Sequence, residues 1–362
     1  MIDYQARLER ARRELDARNV DVLLASLGSD LPYLTGYTAM PLERLTMAVI
    51  PRHGEVVLVV PELEAPRVAA QSGAFAVRPW GETDDPIAMV ADLMGAARRA
   101  MIGEQTWSVF LLGLQERCPN TTFLSARPVT EALRVTKEPA EVDLLRQAGA
   151  VADRVAGLLS ERQFSGKTEL QVARAVGVLL EANGADRAAF AIVAAGPNGA
   201  SPHHEPGDRV IAAGDAVVVD FGGTVGGYHS DTTRMYHVGE PSARYREVHD
   251  VVLAAQQAGV DAVRPGVPAE EVDAAARAVI AAAGFAPYFI HRTGHGIGLD
   301  THEDPYLVEG NTRLLAPGMA FSIEPGIYLP DEFGVRIEDI VVCTEDGAER
   351  LNNSPRTAAI VE

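Results

Sequence analysis

Cysteine is nearly absent from this 362-residue chain: the two present, Cys118 and Cys343, have no second Cys or His at ligand spacing. That scarcity excludes a disulfide framework and a zinc finger, and the pair reads as unpaired thiols. Also missing is any uninterrupted apolar run of about 18 residues, so no membrane span is expected. The opening stretch MIDYQARLERARRELDARN mixes charges into a helical apolar spacing and has neither a signal-type apolar core nor a small-residue cleavage site. A cytoplasmic protein is the simplest reading. Positive charge is in short supply as well. The net charge is -18, with 14 Arg against 17 acids before Val135 and 18 Lys+Arg against 33 acids from there on. The acid excess therefore belongs almost wholly to the second part, where it repels phosphate backbones and argues against nucleic acid as a partner. No tandem repeat at a fixed short period is visible.

What remains is a soluble globular composition, 47% hydrophobic and 23% charged, on a chain long enough that two domains are the default. Residues 1–19 read as an amphipathic helix with Leu8, Ala11 and Leu15 on one face, followed by the strand VDVLLAS. The strands LTMAVIP and EVVLVVP follow, with a hairpin turn at Arg52, His53 and Gly54 between them. Helices and strands then alternate through AMVADLMGAARR, an α/β pattern without clustered His or carboxylates. The texture changes in ALRVTKEPAEVDLLRQAGAVADRVAGLLSE, where Thr136 is placed to cap a helix with Pro139 in its first turn. Glu138 and Glu141 stand near that helix's positive end. The expected domains are therefore 1–135 and 136–362. In the second, two helix pairs each precede strand-rich stretches that carry acidic or His residues.

The chemistry concentrates there. Asp220 ends the run AVVVD, and Asp231 follows across a glycine-rich loop; a strand–turn–strand can bring both to one site, although an Asp before Gly-Gly is also common in turns. His291, His295 and His302 fall in HRTGHGIGLDTHEDP. The four-residue spacing of His291 and His295 resembles that of helical zinc sites, but Gly294, Gly296 and Gly298 disfavour a helix, and Arg292 stands where the zinc-protease motif needs Glu. The glycines point instead to close approach by a ligand or a neighbouring chain. Glu324 in FSIEPGIY and Glu338 in VRIEDIVV interrupt apolar runs. Strand alternation puts Arg336, Glu338 and Ile340 on one face, so an Arg336–Glu338 ion pair is one reading of the last motif. Four acids and a His on apolar strands favour a cation that neutralises them.

The ordered set Asp220, Asp231, His295 in GHGIGLDTHE, Glu324 in SIEPGIY and Glu338 in VRIEDIVV resembles the pita-bread metallopeptidases, which include methionine aminopeptidase, aminopeptidase P and prolidase. The match covers roughly residues 140 to 362. The preceding creatinase-like α/β region and the junction RVTKEPAEVDLLRQA resemble the two-domain prolidase and aminopeptidase P branch. The resemblance implies an α/β (α+β) chain with a creatinase-like N-terminal domain and a C-terminal pita-bread domain. It implies two divalent metal ions, with Asp231 and Glu338 bridging them, Asp220 completing one site, and His295 with Glu324 completing the other. Oxygen-rich ligation favours manganese, with cobalt, iron or zinc as alternatives. The implied reaction is hydrolysis of an Xaa-Pro amide with Glu324 relaying a proton. His203 falls on a substrate-contacting His, with His204 beside it and the order of the two left open. His302 falls on an oxyanion-stabilising His, and His291 and Arg336 on the proline-side pocket, where Arg could hold a substrate carboxylate. Thr233 falls where it would support Asp231. An Xaa-Pro dipeptidase acting on peptides with proline second, as a homodimer, is the leading expectation. The alternatives are an Xaa-Pro aminopeptidase of longer peptides, and a creatinase-like or ectoine-hydrolase-like C–N hydrolase of a small non-peptide compound. A catalytically dead binding protein of the same fold is disfavoured, because no ligand position is missing.

Overall fold

The computed structural model describes residues 2–68 and 73–362; Met1, at the head of the expected opening helix, lies outside them. Two compact units divide the chain, Met1–Arg134 and Val135–Glu362.

In the first unit the amphipathic start forms α1 (Tyr4–Ala17), which buries Leu8, Ala11 and Leu15 and is capped by the Asp3 carboxylate. Then come β1 (Val22–Ala25), α2 (Asp30–Thr35), β2 (Met47–Pro51), β3 (Val57–Pro61), α3 (Ala65–Val68), β4 (Ala76–Trp80), α4 (Pro86–Met94), β5 (Arg99–Ile102), α5 (Ser108–Arg117), β6 (Thr122–Ser125) and α6 (Arg127–Arg134). The strands make one sheet in the order β4-β3-β2-β1-β5-β6. Its central pairs β1/β2 and β2/β3 are antiparallel, and the outer pairs are parallel. Leu24, Met47, Val59 and Ile102 form its core together with Phe110 and Leu114 of α5.

The second unit opens with α7 (Pro139–Ser160) and α8 (Glu169–Ala182), which pack on β7 (Arg187–Ala195), β8 (Ala216–Val225), β9 (Tyr228–His229) and β10 (Thr232–Val238). Thr136 does not cap α7. That role falls to Glu138, whose own N–H donates to the Glu141 carboxylate at 2.9 Å, while Thr136 forms a bridge with Met319. The capping box uses the carboxylate three residues on, which leaves Thr136 free to pair with a neighbouring strand. The second helix pair is α9 (Ala243–Ala262) and α10 (Ala269–Ala282). After it come β11 (Gly294–Gly296), β12 (Glu303–Leu307), β13 (Ala320–Ile323), β14 (Gly326–Leu329), β15 (Phe333–Arg336), β16 (Asp339–Cys343), β17 (Ala348–Arg350) and β18 (Ala359–Val361). Three sheets result: β18-β10-β8-β7 with β9 beside β8, β12-β11-β13-β16-β17, and the hairpin β14-β15.

Two local readings change. Asp220 sits in the middle of β8, facing Ile192 on one side and Thr233 on the other, because the strand continues through FGGTV and turns only at Gly226 and Gly227. VRIEDIVV is not one strand. It divides into β15 and β16, in different sheets, and in the gap the Glu338 N–H turns to the Thr233 carbonyl at 3.3 Å. The glycines around His295 do admit neighbouring chain: a Cβ on Gly294 would lie 1.9 Å from the Ser322 carbonyl oxygen.

The same reasoning gives a paired test at two other glycines. A Cβ on Gly334 would fall 1.8 Å from the carbonyl oxygen of Gly199, in the turn after β7, whereas one on Gly157 of α7 meets nothing within 4 Å. Gly334→Ala should lower Tm by several degrees, whereas Gly157→Ala should raise stability by about 0.5–1 kcal/mol, since Ala suits a helix interior better than Gly. Thermal melts of the two variants check both signs.

Candidate metal centre and active site

A cavity of about 470 Å³ opens in the second unit, lined by Phe190, Ile192, Pro202, His203, Asp220, Asp231, His291, Arg292, His295, Thr301, His302, Glu324, Arg336 and Glu338. All nine residues singled out as site candidates therefore reach one space, from the loop between β7 and β8, from β8, from the β9–β10 junction, from β11 and the loops around it, and from the ends of β13 and β15.

At its floor three acids meet. Asp220, Asp231 and Glu338 offer carboxylate oxygens all within 4.8 Å of one another, and His295, Glu324 and Glu338 form a second such group. Asp220, Asp231 and Glu338 are 8%, 4% and 1% exposed. Burial, and then the neighbouring carboxylates, push Asp231 and Glu338 far above the usual carboxylate range. Asp220 also rises through burial, though the adjacent Arg336 opposes this. At Glu324 burial acts upward too, but the His295 hydrogen bond and charge outweigh it and bring the carboxyl down to about 2.

The side chains are held from behind. His295 turns Nδ1 to the carbonyl of Gly296 at 3.0 Å, so Nδ1 carries the proton. Nε2 is left facing Glu324 at 3.2 Å and Asp231 at 3.6 Å. The Thr233 hydroxyl donates to Glu338 at 2.7 Å and accepts from Arg336 Nε at 3.0 Å, so Thr233 braces Glu338 rather than Asp231. Arg336 Nη2 donates to Asp220 Oδ2 at 2.7 Å. Glu338 is thus not the ion-pair partner the alternation suggested. The Arg336 Nη1 group donates to the Tyr328 hydroxyl at 2.9 Å and the Pro202 carbonyl at 3.3 Å. His291 spends both ring nitrogens, Nδ1 on the Arg292 carbonyl and Nε2 on the Tyr328 hydroxyl.

Arg336 and His291 therefore line the cavity with their polar atoms largely committed to protein. Arg292 differs. Its guanidinium stacks over the Tyr306 ring at 4.2 Å and has no hydrogen bond or ion pair to another described residue. His302 packs its ring 4.0 Å from that of His295. Desolvation in this lining, together with the His295 charge, holds its imidazole down at about 4, although the residue as a whole is exposed. His203 lines the cavity, while His204 turns away to the Glu169 carboxylate at 2.8 Å. Arg292, Tyr328 and Glu169 were missed in the sequence. Arg292 was read only as a departure from a motif, and Tyr328 and Glu169 sit in ordinary strand and helix patterns.

The donor set fits cations. Asp220 Oδ1 is buried without a hydrogen-bond partner among the described residues, in a floor where several carboxylates face one another and the Nε2 of one imidazole is presented. Such an arrangement of oxygen and nitrogen suits hard or borderline divalent ions and is costly without them.

Comparison with known proteins places this chemistry. Residues 143–345, more than half of the chain, match the model of metallopeptidase family M24. The chain belongs to that family. Residues 7–136 match the creatinase/prolidase N-terminal domain, which gives the two-domain arrangement of the prolidase branch. The chain is 45% identical to a probable dipeptidase PepE of Mycobacterium tuberculosis, over 99% of this chain and 96% of that protein. It is 34% identical to the Xaa-Pro dipeptidase of Pyrococcus furiosus over 97% and 98% of the two chains. The crystal structure of a recombinant prolidase from Thermococcus sibiricus superposes with a TM-score of 0.94 at 35% identity, covering 99% of each chain. As a member of family M24, the chain is a metal-dependent peptidase, and its hydrolase character follows.

The raised carboxyls carry a signed consequence. A group whose folded pKa lies above its unfolded value stabilises at acid pH, and that stability is lost as pH rises toward the folded value. Metal-free protein at neutral pH therefore bears the repulsion of this floor. Adding a divalent cation to chelator-treated protein should raise Tm in a concentration-dependent way. Asp231→Asn should raise the Tm of the metal-free form by about 2–4 °C, the equivalent of ~1 kcal/mol, and abolish the cation-dependent gain. A melt series with and without chelator checks both.

Proposed function

We propose that this chain is an Xaa-Pro dipeptidase with a dinuclear metal centre, acting in the cytoplasm as a homodimer. The observation that carries the reading is the cavity itself: a carboxylate and imidazole floor, an apolar wall of Phe190, Ile192 and Pro202, and a cation, Arg292, stacked on Tyr306 with no hydrogen bond or ion pair to another described residue. The printed names of the relatives, dipeptidase, Xaa-Pro dipeptidase and prolidase, support it. Two unpaired cysteines suit a reducing compartment. No described helix is long and apolar enough to cross a membrane.

In this reading Asp231 and Glu338 would serve both of two divalent ions, Asp220 would help to hold one, and His295 with Glu324 would help to hold the other. When bound, two divalent ions, manganese foremost with cobalt, iron or zinc as alternatives, would acidify a water and polarise the scissile carbonyl. The chain's own residues do the rest. Glu324 accepts the proton of the attacking water and returns it to the departing proline nitrogen. His302, uncharged at neutral pH, offers an N–H to the oxygen that gains charge in the tetrahedral state. His203 faces the scissile amide. Arg336 holds Asp220 and Tyr328 in place, and Tyr328 in turn fixes His291 against the proline side. The substrate's carboxylate falls to Arg292 instead of Arg336, because four of the five Arg336 donors are already engaged.

The test compares an Xaa-Pro dipeptide, its C-terminal amide and a longer Xaa-Pro peptide on metal-reconstituted enzyme. The dipeptide should be cleaved best, and Arg292→Gln should raise its KM about tenfold or more while leaving the amide nearly unchanged. Preference for the longer peptide would favour an aminopeptidase. Failure to cleave any of them with manganese, cobalt, iron or zinc would sink the reading. Elemental analysis adds a second check: Glu338→Ala should bind fewer than the two ions per chain expected of the parent.

A further inference from the structure

Glu169 is the first residue of α8, follows the capping Thr168, and is 0% exposed. A carboxylate buried to that extent must be satisfied by donors. At Glu169 every donor comes from β7 or the loop after it. Oε1 accepts from the N–H of Ala195, the last residue of β7, at 2.8 Å and from Asn198 Nδ2 at 3.0 Å. Oε2 meets His204 Nε2 at 2.8 Å and the N–H of Gly207 at 3.3 Å. The backbone repeats the tie on either side: Glu169 N–H donates to the Arg209 carbonyl at 3.1 Å and Leu170 N–H to that of Gly207 at 3.0 Å. One buried side chain thus gathers the loop from 195 to 209 against the positive end of α8, where a carboxylate is also favoured by the helix dipole.

The loop carries two adjacent histidines with opposite fates. His204 is drawn back to Glu169, and His203 lines the cavity. The two imidazoles lie on adjacent residues and are aimed at different places, so anchoring the His204 ring on Glu169 restricts the backbone that carries His203. We propose that Glu169 is the positioning residue for His203: by capturing His204 it selects which imidazole of the pair enters the active site and holds the loop there during turnover. Glu169 touches neither substrate nor metal ligand, and its influence on the reaction passes through His203. This rests on the role given to His203 in the proposed reaction.

A double-mutant cycle separates this from general support of the fold. Glu169→Gln keeps the shape but gives up one acceptor oxygen. It should lower kcat/KM for an Xaa-Pro dipeptide by about 10- to 100-fold, the usual cost of removing a group that orients an active residue. In a His203→Ala background the same change should cost less than about twofold. Equal losses in both backgrounds, or wild-type activity in Glu169→Gln, would overturn the proposal. His204→Asn leaves the backbone donors of Glu169 intact. Should Glu169→Gln not fold, His204→Asn must show the same dependence on His203, with a smaller loss, or the proposal fails. A crystal structure of Glu169→Gln, or of His204→Asn in that event, gives a readout independent of substrate: the His203 ring should leave the cavity, and an unmoved ring refutes the assignment. A parent enzyme that cleaves no Xaa-Pro substrate would defeat the proposed function, and the position of the His203 ring would still decide for or against Glu169.

Discussion

The second unit is built around a repulsion. Asp220, Asp231 and Glu338 are each less than a tenth exposed and bring their oxygens within 4.8 Å of one another, a placement that water would oppose and that packing alone does not reward. Taking a carboxylate out of water costs several kcal/mol even after relaxation, comparable in sum to the net stability of a typical domain. Such a floor persists because apolar packing around it is extensive and because its members are pinned individually. Asp220 is locked in the middle of β8 between two paired strands, and Val217, Val219 and Phe221 on the same strand belong to the core under α7 and α8. The folding energy of these neighbours sets the acids where a cation gains most from meeting them.

The pinning is layered. Thr233 ties Glu338 to Arg336, Arg336 ties Thr233 to Asp220 and Tyr328, and Tyr328 reaches His291. Behind Glu338 lies a second brace. Asp339, fully buried, accepts from Arg234 at 2.7 Å and from Arg356, and Arg234 Nη1 also donates to the Glu338 carbonyl at 2.6 Å. Neighbouring residues 338 and 339 therefore divide the labour: one carboxylate faces the cavity without an arginine of its own, and the next is saturated with them. The asymmetry leaves Glu338 Oε1 open toward the cavity, while Asp339, held by several arginines, fixes the strand behind it.

Much of this was legible in the sequence because polar residues inside apolar strands announce themselves. Asp220, Glu324 and Glu338 interrupt runs of Val, Ile and Phe, and the glycines flanking His295 disfavour a helix. The helix pairs and the α/β order of the first unit follow from periodicity. What periodicity could not show was where the chain leaves one sheet for another. VRIEDIVV has the alternation of one strand, yet it divides at Ile337 and Glu338 because the Glu338 N–H finds the Thr233 carbonyl, a partner about a hundred residues away. The partner of Arg336 was obscured for the same reason: alternation put Glu338 beside it, and tertiary pairing gave it Asp220. Thr136 failed as a cap on local grounds, since Glu138 and Glu141 form the better box.

The division between the two cavity arginines follows from the same electrostatics. Arg336 is 3% exposed and its rigid fork is filled by Thr233, Tyr328, Pro202 and Asp220. A substrate carboxylate arriving there would have to displace partners that are already buried, and each displaced group would then lack a hydrogen bond. Arg292 is half-buried and stacked on Tyr306. Its guanidinium makes no hydrogen bond or ion pair to another described residue and rests against the ring, so binding a carboxylate there would displace no protein partner. Selection of a free C-terminus is therefore cheaper at the partly hydrated arginine than at the buried one, whose charge is already committed to holding Asp220 in the floor.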